Sequence, residues 1–296
     1  AEPNMGMWRN YLTQAETDNS RKTFFKDIFQ LLPGEYATFN NSTLQIKNWY
    51  NLSDRVKQLE NSNINYDELT TRLSKSVELC LRADASQGIS LSGGLDSNIL
   101  LYLSLNILEK NIDTYSVEFG KSFSEKELFE KSVKKYQVKN DLVDYNVSDF
   151  IKNIQPLIWH LESPAGGIMN GALSKLAYSA SKDNKKIIQD GTGLDEIFGG
   201  YEIHHLYYLY ELFEHNSKYF EYHFQCYLNK WNRTAFETKN KLENLKKNDF
   251  KTIDGFSVFN NTVLNKDFLN INSELSSVDE LNKKISLKDS MIDYLQ

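Results

Sequence analysis

Gly88-Ile-Ser-Leu-Ser-Gly-Gly-Leu-Asp-Ser-Asn98 decides the fold. A short apolar run breaks at two glycines and resumes as the apolar segment Ile99 to Leu108, an order that predicts strand, tight loop and helix. Ser92 to Ser97 then sit where successive backbone N–H groups and the positive end of a helix point outward together, an arrangement that holds phosphate oxygens. Gly93 and Gly94 allow close backbone approach to a ligand. No Lys-Ser/Thr pair follows the glycines, so this is not a Walker loop, and the Gly-x-Gly-x-x-Gly spacing of dinucleotide sites is absent. Asp96 stands in place of the lysine. A carboxylate beside a phosphate cradle makes chemical sense when Mg²⁺ bridges the two.

A second glycine segment, Asp190-Gly-Thr-Gly-Leu-Asp-Glu-Ile-Phe-Gly-Gly-Tyr201, follows another strand-like run, Lys186 to Gln189. Between the two segments the pattern alternates. Thr114 to Phe119 reads as a strand and Ser124-Glu-Lys-Glu127 as a capping box opening a helix to about Lys135. Leu142 to Val147 reads as a strand, Ser148 to His160 as a helix interrupted at Pro156, and Gly171 to Lys182 as a further helix. Such alternation predicts a parallel sheet with helices on both faces, whose ligands bind beyond the carboxyl ends of the strands. Upstream, Asp67 to Asp84 sets Leu69, Leu73, Val77 and Leu81 on one helical face.

The flanks are less regular. Residues 1–34 carry Trp8, Phe24, Phe25 and Phe29 without helical periodicity, and are expected to lie against a larger body. Tyr36 to Phe39 and Thr43 to Ile46 flank Asn40-Asn41-Ser42 and read as a β-hairpin. Asn51 to Asn65 is a polar boundary. His204 to His223 is helical in texture, Thr238 to Lys251 reads as exposed or mobile, and 252–296 have no clear pattern.

Ser-Gly-Gly-Leu-Asp-Ser resembles the pyrophosphate-binding loop of the ATP pyrophosphatase superfamily. The segment from Asp190 is similar to the Gly-x-Gly-x-Asp-Glu-x-Phe-Gly-Gly-Tyr block of asparagine synthetases. Arg21 to Ile28 with Leu32-Pro-Gly34 resembles the segment joining the glutaminase and synthetase domains of the glutamine-hydrolysing, B-type enzymes. The resemblance runs from about residue 20 to 205 and implies an adenine nucleotide alpha hydrolase-like α/β fold. The implied organisation is a connector over 1–60 from an N-terminal glutaminase-type domain, an ATP pyrophosphatase core over 61–205, and a mostly helical extension over 206–296 that is incomplete relative to the family. It also implies ATP and Mg²⁺, with Asp96 and Asp195 sharing the metal. Leu91 and Val117 would lie near adenine, Asp190 and Gly191 near ribose and the α-phosphate, and Ser92, Gly93, Gly94 and Ser97 at the pyrophosphate. Glu196 accompanies Asp195, and Glu162 to Gly167 occupies the place of an acceptor-lining segment. Each aspartate has a plainer reading as a helix cap. Adjacent His204 and His205 point in different directions on a helix and are not expected to form a metal pair.

Two departures bear on the substrate. Thr192 stands where the related synthetases carry Glu, a residue tied to adenylate formation or ammonia handling. The chain begins at Ala1, whereas the glutamine-hydrolysing relatives need an N-terminal cysteine on a preceding domain. The expected activity is an ATP-dependent amide-forming ligase that activates a carboxylate as acyl-AMP and transfers ammonia. Two alternatives stay open: a ligase taking an amine, as in β-lactam-forming or peptide-cyclising relatives, and a nucleotide-binding regulatory module without catalysis. Expected partners are a small or peptidic carboxylate, ammonia or an amine, a glutaminase domain or subunit and, as an open option, a second copy of the chain.

Composition narrows the field further. A net charge of −6 with scattered lysines offers no basic stripe for nucleic acid. No apolar run approaches the roughly 18 residues of a membrane span. Cys80 and Cys226 have neither metal nor disulfide spacing, and residues 1–10 have no secretory core, so a cytoplasmic protein is expected.

Overall fold

In the computed structural model, residues 1–14, 17, 18, 20–59, 65–120, 123–215 and 217–246 are described. The chain divides into two units, one of Ala1–Glu60 with Asp195–Gln296 and the other of Asn61–Leu194.

The first stretch opens with α1 (Met5–Gln14). A helix was not legible here because what stabilises it comes from further along the chain. Phe24 is buried with its ring 5.0 Å from Trp8 and 5.9 Å from Tyr11, and Pro3 bridges to Phe25. Strands β1 (Glu35–Asn40) and β2 (Thr43–Asn48) pair antiparallel from Glu35↔Asn48 to Asn40↔Thr43. Asn41 and Ser42 both take positive φ, 47° and 61°, as a two-residue type I′ turn requires. The expected polar boundary then contains a helix, α2 (Leu52–Gln58), because the Asn51 side chain caps it by accepting from the Asp54 N–H.

The unit Asn61–Leu194 holds the sheet. Helix α3 (Tyr66–Cys80) starts at Asn65, whose side chain accepts from the Asp67 and Glu68 N–H groups. Then come β3 (Gln87–Ser90), α4 (Leu95–Tyr102) running into a π-helical turn at Leu103–Ile107, and β4 (Asp113–Glu118). They are followed by α5 (Lys126–Tyr136), β5 (Asn140–Asp144), α6 (Val147–Leu161), α7 (Ile168–Lys182) and β6 (Ile187–Gln189). The strand order is β5-β4-β3-β6, all parallel. Side chains alternate across it. Ile89 and Leu91 pack on one face with Leu100, Leu101, Phe129, Val77 and Leu81, while Tyr115, Val117 and Ile188 pack on the other with Leu176 and Ala180 of α7. Helices therefore cover both faces, as predicted.

Two local expectations fail for identifiable reasons. The capping box at Ser124 does not form: Ser124 Oγ donates to the Glu118 carboxylate at 2.7 Å, and Glu125 becomes the N-cap without a side-chain cap bond. Pro156 does not interrupt α6. The helix loses one amide donor there but runs on, started by a genuine capping box in which the Asn146 and Asp149 side chains each accept from the other's backbone N–H.

Beyond β6 the chain forms α8 (Leu194–Phe198), α9 (Glu202–Glu214), α10 (Phe220–Trp231) and α11 (Ala235–Lys246). Leu206, Tyr207, Leu209, Tyr210, Phe224 and Tyr227 build a core with Leu242 and Leu245. The last two overturn the expectation that 238–251 is exposed, as far as Lys246. The rest of that stretch, and all of 252–296, lie outside the described residues. Glu202 ties three helices of this unit together. It accepts from Arg233 at 2.7 and 2.9 Å, from Tyr227 at 2.7 Å and from Lys241 at 3.3 Å, and these partners, Arg233 foremost, hold its carboxyl down at about 2. Among the described residues, no helix is long and apolar enough to cross a membrane.

Candidate functional site

The winding β3, β4, β5 proceeds to one side of the sheet, and β6 then lands on the other side of β3. The direction of winding reverses between β3 and β6, and that reversal opens a crevice beyond their carboxyl ends. Both glycine segments begin there. The register Ile89↔Gln189 sets the two strand ends level, so the loop after Ser90 and the loop after Gln189 leave the sheet side by side.

Contact between the loops is direct. A Cβ placed on Gly191 would stand 2.7 Å from Asp96 Cβ and 2.9 Å from both the Asp96 carbonyl carbon and the Ser97 nitrogen. Only a residue without a side chain lets the first turn of α4 lie on the second segment this closely.

The first loop is held in shape from within. The Ser92 N–H donates to Ser97 Oγ at 3.1 Å, the Gly94 N–H donates to Ser92 Oγ at 3.1 Å, and Asn98 Nδ2 donates to the Gly94 carbonyl at 2.6 Å. Ser97 is buried, which fixes its hydroxyl as the loop's brace. The Gly93 N–H donates outward, 2.8 Å to Oε2 of Glu125. A carboxylate oxygen already sits on this amide, so the donor fits an anionic oxygen, and the α4 N-terminus adds positive potential beside it. The sequence pattern does not single out Asn98 or Glu125: Asn98 stands next to the motif, where its adjacency is a usable signal, whereas Glu125 lies inside the Ser124-Glu-Lys-Glu127 capping pattern.

Leu91 is buried, its N–H donates to the Tyr115 carbonyl, and its own carbonyl accepts from Ser116 Oγ at 2.7 Å. Val117 packs on the opposite face of the sheet from Leu91. In the second segment Asp190 Oδ1 accepts from the Thr192 N–H at 2.9 Å. Thr192 itself is exposed, and Gly193 has φ of 100°.

Leu194 closes the sheet unit, and Asp195 and Glu196 belong to the other. Within their own unit, Asp195 is folded back over the Gly199-Gly200 turn. A Cβ on Gly200 would stand 2.6 Å from Asp195 Cγ, and the Gly200 N–H donates to the Asp195 carbonyl at 2.9 Å. Gly199 takes φ of 71° to make that turn. Tyr201 donates its hydroxyl to Glu196 Oε1 at 2.7 Å, while Glu196 Oε2 is buried and, among the described residues, has no hydrogen-bond partner.

The same unit carries a cavity of about 390 Å³ between α9 and α10, lined among others by His204, His205, His223 and Lys230. Burial pushes the imidazoles of His204 and His205 below the ordinary range. Their rings diverge, His204 toward Tyr201 and His205 toward Trp231. Among the described residues, no group of three or more His, Cys, Asp or Glu side chains could hold a metal by itself. A cation at the loop crevice would take one carboxylate, such as Asp96, with phosphate oxygens and water completing its shell, which suits Mg²⁺.

Among curated proteins, a putative glutamine-hydrolysing asparagine synthetase of Mycobacterium tuberculosis is 30% identical over 148 residues, covering 49% of this chain and 22% of the relative. Asparagine synthetase 1 of Bacillus subtilis is 25% identical, covering 58% of this chain and 27% of its own length. The amidase chyE of Penicillium rubens is 23% identical over 61% of this chain and 30% of its own. The chain thus spans under a third of the length of these relatives. An NH3-dependent NAD synthetase from Campylobacter jejuni superposes over 78% of this chain and 96% of its own, with 14% identity and a TM-score of 0.33, and the fold assignment rests on the sheet itself rather than on that likeness. The sequence profile described as asparagine synthase matches residues 68–282, which include both glycine segments. With that match over more than half its length, the chain belongs to the asparagine synthase family.

Proposed function

We propose that this chain is the nucleotide-activating part of an ATP-dependent ligase that forms amides, and that it activates a carboxylate as an acyl-adenylate with release of pyrophosphate. The observation that carries this reading is the packing of Gly191 on Asp96 and Ser97, which sets the start of the second glycine segment against the first loop.

A carboxylate repels nucleophiles and has no leaving group of use, so it must be esterified to a good one before an amine can displace it. The chain's part in this is to bind and orient. The Gly93 N–H and the α4 N-terminus would hold phosphate oxygens, while Ser97, hydrogen-bonded to Ser92, keeps the loop in shape. Asp96 would supply a carboxylate for Mg²⁺ at the first loop, with Asp195, in its own unit, the second candidate ligand, and the metal would neutralise charge on the departing phosphates. The reading also covers the connector role of 1–60, the ATP pyrophosphatase core, and ammonia from a glutaminase domain or subunit.

A second reading within the same chemistry is favoured by one residue. Thr192 is exposed at the loop where a carboxylate would serve as a base, and its hydroxyl is a very weak base near neutral pH. That suits a nucleophile already deprotonated or delivered by another group, such as an amine on the substrate.

Nucleotide products test both readings. With the full chain supplied with its partner domain and Mg–ATP, AMP and pyrophosphate are expected, and Asp96→Asn is expected to lower both turnover and Mg²⁺-dependent ATP binding at least tenfold. ADP with orthophosphate would end the proposal. Exchange of labelled pyrophosphate into ATP, run on aspartate and on larger or peptidic acids, then separates ordinary asparagine formation from an amine-using ligase.

A further inference from the structure

We propose that Glu125 is a selectivity residue of the phosphate loop, its carboxylate holding the Gly93 N–H until a phosphate oxygen displaces it and so disfavouring polyphosphate that arrives without a divalent cation. This rests on reading the loop as a phosphate site.

The geometry is specific to this residue. Glu125 is the N-cap of α5, yet its side chain makes no cap bond and reaches the loop instead, 2.8 Å from the Gly93 nitrogen. The approach is close along the whole stretch. A Cβ on Gly93 would meet Leu128 Cβ at 2.8 Å and Glu125 Cβ at 3.2 Å, so the start of α5 rests on the loop backbone. The other loop amides are satisfied internally by Ser92 and Ser97. Gly93 is therefore the one amide of the Ser92–Gly94 stretch whose acceptor is an anion from outside the loop.

Among the described residues no Lys or Arg pairs with Glu125. Its neighbour Lys126 lies 3.7 Å from Glu130 instead. An unneutralised carboxylate on a phosphate-binding amide both occupies the donor and repels the incoming charge. A polyanion whose charge is already offset by Mg²⁺ meets a smaller barrier than the bare ion, because the cation cancels part of the Coulomb repulsion between the phosphates and the Glu125 carboxylate.

The test is calorimetric titration of the full 296-residue chain with pyrophosphate at low ionic strength, once with Mg²⁺ and once with EDTA. Wild type is expected to bind the magnesium complex and to bind bare pyrophosphate far more weakly. Glu125→Gln is expected to tighten metal-free binding about tenfold, the worth of one exposed charge-assisted hydrogen bond, and magnesium-complex binding by less, so that the ratio narrows. Glu130→Gln, which removes the same charge five residues along α5, should leave both affinities unchanged. If the Gln variant melts early, Glu125→Ser removes the carboxylate while giving α5 a stronger N-cap. Unchanged or weaker metal-free binding in a folded Glu125 variant, with wild type binding the magnesium complex, overturns the selectivity role alone. No pyrophosphate binding by any variant under either condition overturns the phosphate-site reading and this inference with it.

Discussion

Replacing Gly191 by alanine tests the central contact of the crevice. The added methyl would sit 2.7 Å from Asp96 Cβ and 2.9 Å from two backbone atoms of the α4 first turn, where ordinary contact begins at 3.4 Å. About 0.7 Å must open, and backbone has to move because the atoms met are not the ends of flexible side chains. Overpacking of this kind costs about 1–3 kcal/mol. At roughly 3–5 °C per kcal/mol for a unit of this size, the Tm is expected to fall by about 3–15 °C. The displacement also carries Ser97 away from Ser92, so phosphate binding should weaken more than stability does. A shift near 1 Å at a site can cost about a hundredfold, and a loss of at least tenfold in Mg–ATP affinity is expected. Gly193→Ala is the matched comparison. Gly193 has φ of 100°, but a Cβ there would meet no described atom within 4 Å, so alanine costs about 1–2 kcal/mol of backbone strain without pushing on Asp96. Thermal unfolding and calorimetric titration of both variants decide the matter. The reasoning fails if Gly191→Ala keeps wild-type affinity, or if Gly193→Ala loses more affinity than Gly191→Ala.

Two further outcomes are expected. Gly200→Ala should dislodge the Asp195 carboxylate and weaken Mg²⁺-dependent nucleotide binding about as much as Asp195→Asn, with little added loss in the double variant; additive losses would show that the turn does not position Asp195. Glu202, lowered from 4.5 to about 2, contributes stability that is complete above about pH 4.5 and lost as pH falls toward 2; at about 1.36 kcal/mol per unit this is about 3 kcal/mol, so Glu202→Gln should lose about that much near pH 7 and almost nothing near pH 2 in urea titrations, and a pH-independent difference would assign the loss to packing instead.

Where the sequence was legible, the structural cause is local. The hairpin turn is encoded in two residues that tolerate positive φ, and each sheet strand carries one or two core-forming apolar residues, Ile89, Tyr115 with Val117, Leu142 with Val143, and Ile187 with Ile188. The glycine segments could be placed because each follows such a strand. What could not be read depends on partners distant in sequence. Helix α1 rests on Phe24, and the apolar anchors of α11 are two buried leucines in a Lys/Asn-rich stretch whose periodicity is too thin to announce it. Glu125 was hidden because Ser124-x-x-Glu127 is a sound local capping pattern, and Glu118, from the preceding strand, captures the serine first.

The glycines of the second segment divide by physical role, and the division indicates where the loop's chemistry can vary. Gly191 and Gly200 are needed because a side chain would strike Asp96 and Asp195 respectively, whereas Gly193 and Gly199 supply positive φ. Neither kind can change without moving a carboxylate or bending the loop. Thr192 lies between them with its amide held by Asp190 and its side chain exposed, so the loop's shape places no demand on its identity. A residue free of structural duty, set next to residues that have it, can exchange a basic side chain for a neutral one without disturbing the anion site. On the proposed reading the nucleophile is therefore separable from the activation step, and for that reason the pyrophosphate exchange experiment, which reads activation alone, comes before any assay that requires the amine.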